Sequence, residues 1–165
     1  MRWRPPPEQS SRYVTAAGFR RLRGELEQLW PARRDVVAAL SAAAAEGDRS
    51  ENAEYIYRKK QLREMDRRIR YLQKRLDQVR PVGDPPGDRD RIFFGARVEV
   101  EDQAGQLATY RIVGADEIGW SPEHISVDSP VARALLGRRL DEEVLVPVPE
   151  GERCLVVRAI DYPGS

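Results

Sequence analysis

One cysteine and one histidine in 165 residues remove several classes of chemistry at the outset. Cys154 alone can form neither an intramolecular disulfide nor a cysteine-based zinc site, and His124 alone excludes a His-pair metal site and argues against a His-based triad. Aromatic residues make up only 7% of the chain, and no run approaches the roughly 20 apolar residues a membrane-crossing helix needs. Residues 1–12, MRWRPPPEQSSR, hold charges and prolines but no apolar stretch of the secretory kind. A reducing, cytoplasmic setting is therefore expected, with residues 1–12 as a disordered tail.

Charge is plentiful. With 33% charged and 41% hydrophobic residues, the chain has core material and a large charged face, as globular proteins do. Its net charge of +1 conceals a division: residues 1–80 carry 19 basic and 11 acidic side chains, whereas residues 81–165 carry 9 and 16. Halves of opposite sign imply two different partner surfaces. The composition breaks at the same place. Pro81-Val-Gly-Asp-Pro-Pro-Gly-Asp88 packs three prolines and two glycines into eight residues, which suits neither a helix nor a central strand. The expected organisation is an α-helical domain at 13–80, a linker at 81–90 and a second domain at 91–165.

Before the break, apolar residues step by three and four, the spacing of a coiled coil, which would be antiparallel if the two segments fold back on each other. They fall at Phe19, Leu22, Leu26, Leu29, Val36, Leu40 and Ala43 with a gap at Arg33, then at Tyr55, Leu62, Met65, Ile69, Leu72, Leu76 and Val79 with a gap at Arg58. Thr15 can cap the first helix, and Pro31 should kink it. Pairing the two seams places the fold-back at residue 49, so the tip is Glu46-Gly-Asp-Arg-Ser-Glu-Asn52, with Gly47 in the turn and Asp48 or Ser50 opening the second helix. Arms of some 30 residues would carry that tip roughly 45 Å from the base.

After the break the pattern is one of short strands. Arg97–Glu101 and Leu107–Val113 read as a hairpin turning at Gln103-Ala-Gly105, Ile125–Val127 as a further strand, and Val144–Val148 with Arg153–Ile160 as a final hairpin. Ser129-Pro130 opens a short helix that Gly137 ends. The fold class is α+β.

Two groups could carry chemistry. Asp48-x-x-Glu51 fits a capping box, in which each side chain satisfies a free helix N–H. The same carboxylates are hard-oxygen donors suited to Mg²⁺, but two are too few to hold it without a partner's acids. Lys60, Arg63, Arg67, Arg70 and Lys74 step by three and four along one stripe of the second helix, beside its apolar seam. Such a stripe is either a solvated coiled-coil face or a track for a nucleic-acid backbone. The ten basic and five acidic side chains in residues 51–80 favour the track. Elsewhere, Cys154 reads as a buried thiol, His124 as a loop residue without a partner, and Trp30 as packing at the Pro31 kink. Trp120 is either a binding-loop residue or a partly buried loop aromatic.

These residues resemble the bacterial Gre transcript cleavage factors, and the GreB type in particular. The resemblance lies in Tyr13-Val-Thr-Ala-Ala-Gly-Phe19, Gly47-Asp-Arg-Ser-Glu-Asn-Ala-Glu-Tyr55 and the basic run from Tyr57 to Leu72. In the second half it lies in Phe93-Phe-Gly-Ala-Arg-Val-Glu99, Arg111-Ile-Val-Gly-Ala-Asp-Glu-Ile118 and Ile125-Ser-Val-Asp-Ser-Pro-Val-Ala-Arg-Ala-Leu-Leu136. It extends from about residue 13 to residue 162. The proline-rich start and Gly119-Trp-Ser-Pro-Glu-His124 depart from it.

The resemblance implies a coiled-coil hairpin joined to an FKBP-like domain that docks at the secondary channel of bacterial RNA polymerase. Through that channel the hairpin would reach the active site and stimulate cleavage of the RNA 3′ end in backtracked complexes. It further implies that Asp48 and Glu51 are the catalytic acids, sharing a Mg²⁺ with polymerase aspartates and not holding it tightly in the free protein. Ser50 and Asn52 would support the tip, and Lys60, Arg63, Arg67, Arg70 and Lys74 would contact RNA. Asp116, Glu117, Ile118, Ser129 and Pro130 would take part in docking. On this view the chain is a monomer with no nuclease activity of its own. Two other readings compete: a non-catalytic inhibitor occupying the same channel, and a prolyl isomerase or chaperone built on the second domain.

Overall fold

The computed structural model describes residues 3–7, 9–47 and 52–163. They form two compact units, one spanning Phe19–Gln78 and the other combining the residues up to Gly18 with those from Val79 onward.

The first unit is a helical hairpin made of α1 (Ala16–Ala45) and α2 (Ala53–Gln78). At about 1.5 Å per residue, helices of 30 and 26 residues are roughly 45 and 39 Å long. Thr15 caps α1 as expected, its Oγ1 accepting from Gly18 N at 3.0 Å. Pro31 lies inside α1 without ending it. The seam is real: Leu22, Val36, Ala43, Ile69 and Leu72 are all buried. Its two gaps hold ion pairs. Arg33 Nε reaches Asp66 Oδ1 across the hairpin at 2.6 Å, and Arg58 pairs with Glu54 one turn away at 2.7 Å. Arg68 also binds Glu25 through two parallel bonds of 2.9 and 2.7 Å. With Asn52 bonded to Ala43, these links fold the chain back within three residues of position 49. Trp30 is 41% exposed, which corrects its expected role as packing at a kink, and Arg75, outside the apolar pattern, is buried instead.

The second unit contains two sheets. In the smaller, β1 (Tyr13–Thr15) pairs in parallel with β2 (Arg80–Val82). This pairing moves the expected boundaries. Residues 13–18 leave the helical domain, and Pro81 and Val82 belong to a strand instead of a linker. A proline is tolerated there because a strand at the edge of a two-stranded sheet has donors to spare. The expected tail is also tied down at its end, since Ser11 N donates to Asp128 Oδ2 at 2.8 Å.

The larger sheet has five strands: β3 (Arg97–Glu101), β4 (Leu107–Val113), β5 (His124–Ser126), β6 (Glu143–Val148) and β7 (Gly151–Asp161), in the order β5-β4-β3-β7-β6. All pairings are antiparallel except β4 with β5. Strict alternation in β3 and β6 turns Val98, Val100, Val144 and Val146 inward, where they meet Ile112, Leu155 and Val157. The short helix α3 (Pro130–Leu135) closes this core with Ala132 and Leu135, its start capped by Ser129 Oγ accepting from Ala132 N at 3.2 Å. Asp102 shapes the β3–β4 turn by accepting from Ala104 N and Gln106 N, both at 2.9 Å.

Candidate nucleic-acid interface and hairpin tip

The tip is built from both sides. At the end of α1, Glu46 N returns to Ala43 O at 3.2 Å, and Gly47 takes φ +134°, a backbone state side chains rarely allow. At the start of α2, Asn52 is the cap. Its Oδ1 accepts from Tyr55 N at 3.0 Å, while its Nδ2 donates to Ala43 O at 2.7 Å. One side chain thus closes the helix end and ties α2 to α1. The helix was expected to open at Asp48 or Ser50; it opens at Ala53. Asp48, Ser50 and Glu51 lie outside the described residues. Asn52 caps the described start of α2, and the capping box expected at Asp48-x-x-Glu51 lies outside the described residues.

Lys60, Arg63, Arg70 and Lys74 are exposed and Arg67 is half-buried. At about 100° per residue this stripe centres nearly opposite Ile69 and Leu72, so it runs on the far side of α2 and not beside the seam. That placement holds the charged ends away from the helix pair. Among the described residues, Lys60, Arg63, Arg70 and Lys74 have no ion-pair partner within 4.0 Å, whereas Arg33, Arg58 and Arg68 do. The hairpin thus neutralises the cations near its seam and leaves those four as a positive outer surface.

The expected docking residues separate into different roles. Glu117 is 2% exposed and cannot meet a partner with its side chain. Its Oε2 accepts from Gly114 N at 2.8 Å and from Thr15 N at 3.1 Å, and Oε1 accepts from the Thr15 hydroxyl. The carboxylate therefore joins the strand before α1 to the 3₁₀ segment Ala115–Trp120. Sequence inspection missed this link because its partners lie 102 residues apart. Ser129 serves as a cap, Asp116 is half-buried, and Ile118 and Pro130 are exposed. His124, expected in a loop without a partner, lies in β5 and bonds through Nδ1 to Glu117 O at 2.8 Å. Cys154, expected to be buried, is half-buried on β7 opposite Leu145, on the side away from the core. Trp120 is half-buried at the end of the 3₁₀ segment.

Among the described residues, no three His, Cys, Asp or Glu side chains converge to hold a metal ion, and no helix is long and apolar enough to cross a membrane.

Family models of the transcription elongation factor N-terminal region and of the GreA/GreB C-terminal region match residues 12–80 and 87–162. The chain belongs to the GreA/GreB family of transcription elongation factors. It is 56% identical to the transcription elongation factor GreB of Xanthomonas axonopodis pv. citri over 98% of this chain and 97% of that one. Against the GreB of Pseudomonas aeruginosa the identity is 53%, with the same coverage. Among solved structures it resembles the GreA factor homolog 1 protein of Thermus thermophilus, with 25% identity, a TM-score of 0.42, and coverage of 92% of this chain and 99% of that one. In this GreA/GreB-family chain the two matched regions meet between residues 80 and 87, inside the proline- and glycine-rich stretch.

Proposed function

We propose that this Gre-family elongation factor enters the secondary channel of RNA polymerase through its helical hairpin and stimulates cleavage of the RNA 3′ segment in backtracked complexes. The observation that carries the reading is the division of labour on the hairpin. Asn52 caps α2, the ion pairs of Arg33 and Arg68 lock the arms together, and the outer cations Lys60, Arg63, Arg70 and Lys74 have no ion-pair partner among the described residues. Asp48 and Glu51 supply the acids at the tip. Their oxygens suit Mg²⁺, and their number requires that polymerase carboxylates complete the set. When bound there, the ion would activate the attacking water. The chain's own residues do the rest. Asn52 keeps the tip closed, and Lys60, Arg63, Arg67, Arg70 and Lys74 attract the phosphates of the extruded RNA.

The second unit, with its five-stranded mixed sheet and α3 over one face, has the makings of an FKBP-like shape and takes the docking role. Ile118 and Pro130 are the exposed members of its candidate docking residues, with Asp116 half-buried, while Glu117 and Ser129 shape the surface from within.

The test is cleavage of 3′-labelled or 5′-labelled RNA in stalled, backtracked complexes. Asp48→Asn and Glu51→Gln should each abolish stimulated shortening of the transcript while polymerase binding stays close to that of the unmodified protein. Undiminished shortening by the double variant would remove the tip acids from the mechanism.

A further inference from the structure

The outer face of α2 does not end in charge. Counting back from Lys60 by four reaches Ile56, which continues the stripe toward the tip in the same three-and-four rhythm as Lys60, Arg63, Arg67, Arg70 and Lys74. Tyr57 stands next to it, one position around the helix. Neither belongs to the seam. Ile56 is 52% and Tyr57 58% exposed, in the first turn and a half of a helix whose Ile69 and Leu72 are buried in the seam.

Three features hold this pair open. Helical side chains lean toward the N-terminus, so Ile56 and Tyr57 overlie the turn before them. Among the described residues of that turn, Ala53 on the same side is itself exposed and its methyl cannot cover either, and the Asn52 side chain is engaged with Ala43 O and Tyr55 N. The Arg58 guanidinium sits 5.4 Å from the Tyr57 ring centroid, while its Nε binds Glu54 at 2.7 Å and its Nη1 binds Gln61 at 3.0 Å. An arginine pinned from two sides orients the ring against one of its faces and leaves the rest to solvent.

We propose that Ile56 and Tyr57 form a platform on which a base of the single-stranded RNA stacks where the cationic stripe delivers it to the tip. A positive track that leads phosphates to an exposed aromatic ring is the recurring arrangement for single-stranded nucleic acid, because every base has a π-face and stacking needs no particular sequence. The platform is continuous with the stripe, so a strand following the phosphates arrives with its bases at this end. This inference rests on the reading of the stripe as an RNA track. It adds an interaction with the base, where the stripe itself meets only phosphate.

The experiment uses the full chain with backtracked polymerase complexes. In one set the extruded RNA segment carries its normal bases, and in the other it is abasic with an intact backbone. On normal RNA, Tyr57→Ala should raise the factor concentration for half-maximal cleavage on the order of tenfold, and Tyr57→Phe should leave it unchanged. On abasic RNA, Tyr57→Ala and the unmodified protein should behave alike, while Arg63→Ala should still be impaired because the phosphates remain. An equal loss by Tyr57→Ala on both RNAs, or weaker binding of that variant to polymerase without RNA, would mean that the platform meets protein and would overturn the proposal. So would unaltered cleavage of normal RNA by Tyr57→Ala. An Arg63→Ala protein that cleaves both RNAs normally would strike instead at the stripe, leaving the base-dependent effect of Tyr57 to be read separately.

Discussion

A methyl group placed on Gly18 would stand 2.2 Å from Glu117 Oε1 and 2.6 Å from its carboxyl carbon. Glu117 cannot retreat, because its two oxygens already serve Thr15 and Gly114 and the residue is buried. Gly18→Ala should therefore cost about 1–3 kcal/mol, as overpacking of a filled interior does. It would be read as a lower denaturant midpoint with an unchanged slope; a midpoint equal to that of the unmodified protein would show that the carboxylate has room to shift. This joint was only half legible in the sequence. Thr15 reads as a cap from its position before the helix, and it is one, yet the same hydroxyl also donates to a carboxylate far along the chain. Spacing rules see partners a few residues away. For the same reason Glu117 reads as a surface acid in Asp116-Glu117-Ile118, although its side chain points inward.

At the scale of elements, the hairpin was the most legible part, because a repeat of three and four states which face of each helix must be buried. Leu22, Val36, Ile69 and Leu72 obey it, and even the gaps at Arg33 and Arg58 have a physical use as ion pairs. The helix start at the tip was less legible, since Asp48, Ser50 and Asn52 all belong to residue types that cap helices, and composition cannot rank them. The β1–β2 pair was not legible at all: Pro81 argues for a linker, and only a parallel partner 67 residues earlier makes it a strand.

The outer stripe carries its own prediction. Neutralising Arg63, Arg67 and Arg70 together should weaken cleavage and flatten its dependence on salt. The logarithmic slope should fall by about 2, at roughly 0.7 for each single-strand phosphate left without its cation. An unaltered slope would return the stripe to an ordinary solvated face.

The sheet unit should respond to acid. Gln106 N, followed by Arg153, holds the Asp102 carboxyl below its ordinary range; Arg97 does the same for Glu123, and Arg139 N followed by Arg138 for Glu142. A carboxylate with a depressed folded-state pKa adds stability that is present above its unfolded value, near 4, and is lost as the pH falls through the folded value. Thermal unfolding should thus be nearly level from pH 7 to 5 and drop below about pH 4. A transition temperature unchanged down to about pH 3 would contradict this.

For the whole molecule, the opposite charges of the two halves acquire a physical meaning. The hairpin, residues 19–78, carries 15 basic and 10 acidic side chains and the remaining residues 13 and 17; the proposed function gives the first the RNA and the second the docking. On the proposed function, the chain lends acids to another protein's metal centre and needs no complete site of its own, only two carboxylates at the tip and a track that favours RNA. The most direct measurement is therefore made on the complex. Backtracked polymerase is mixed with the intact protein or with the Asp48→Asn, Glu51→Gln double variant at saturating concentration, and the RNA is resolved by length over time. The account predicts rapid shortening of the transcript by the intact protein and none above the polymerase's own rate by the double variant, with both bound to the enzyme. Equal shortening by the two proteins would contradict it.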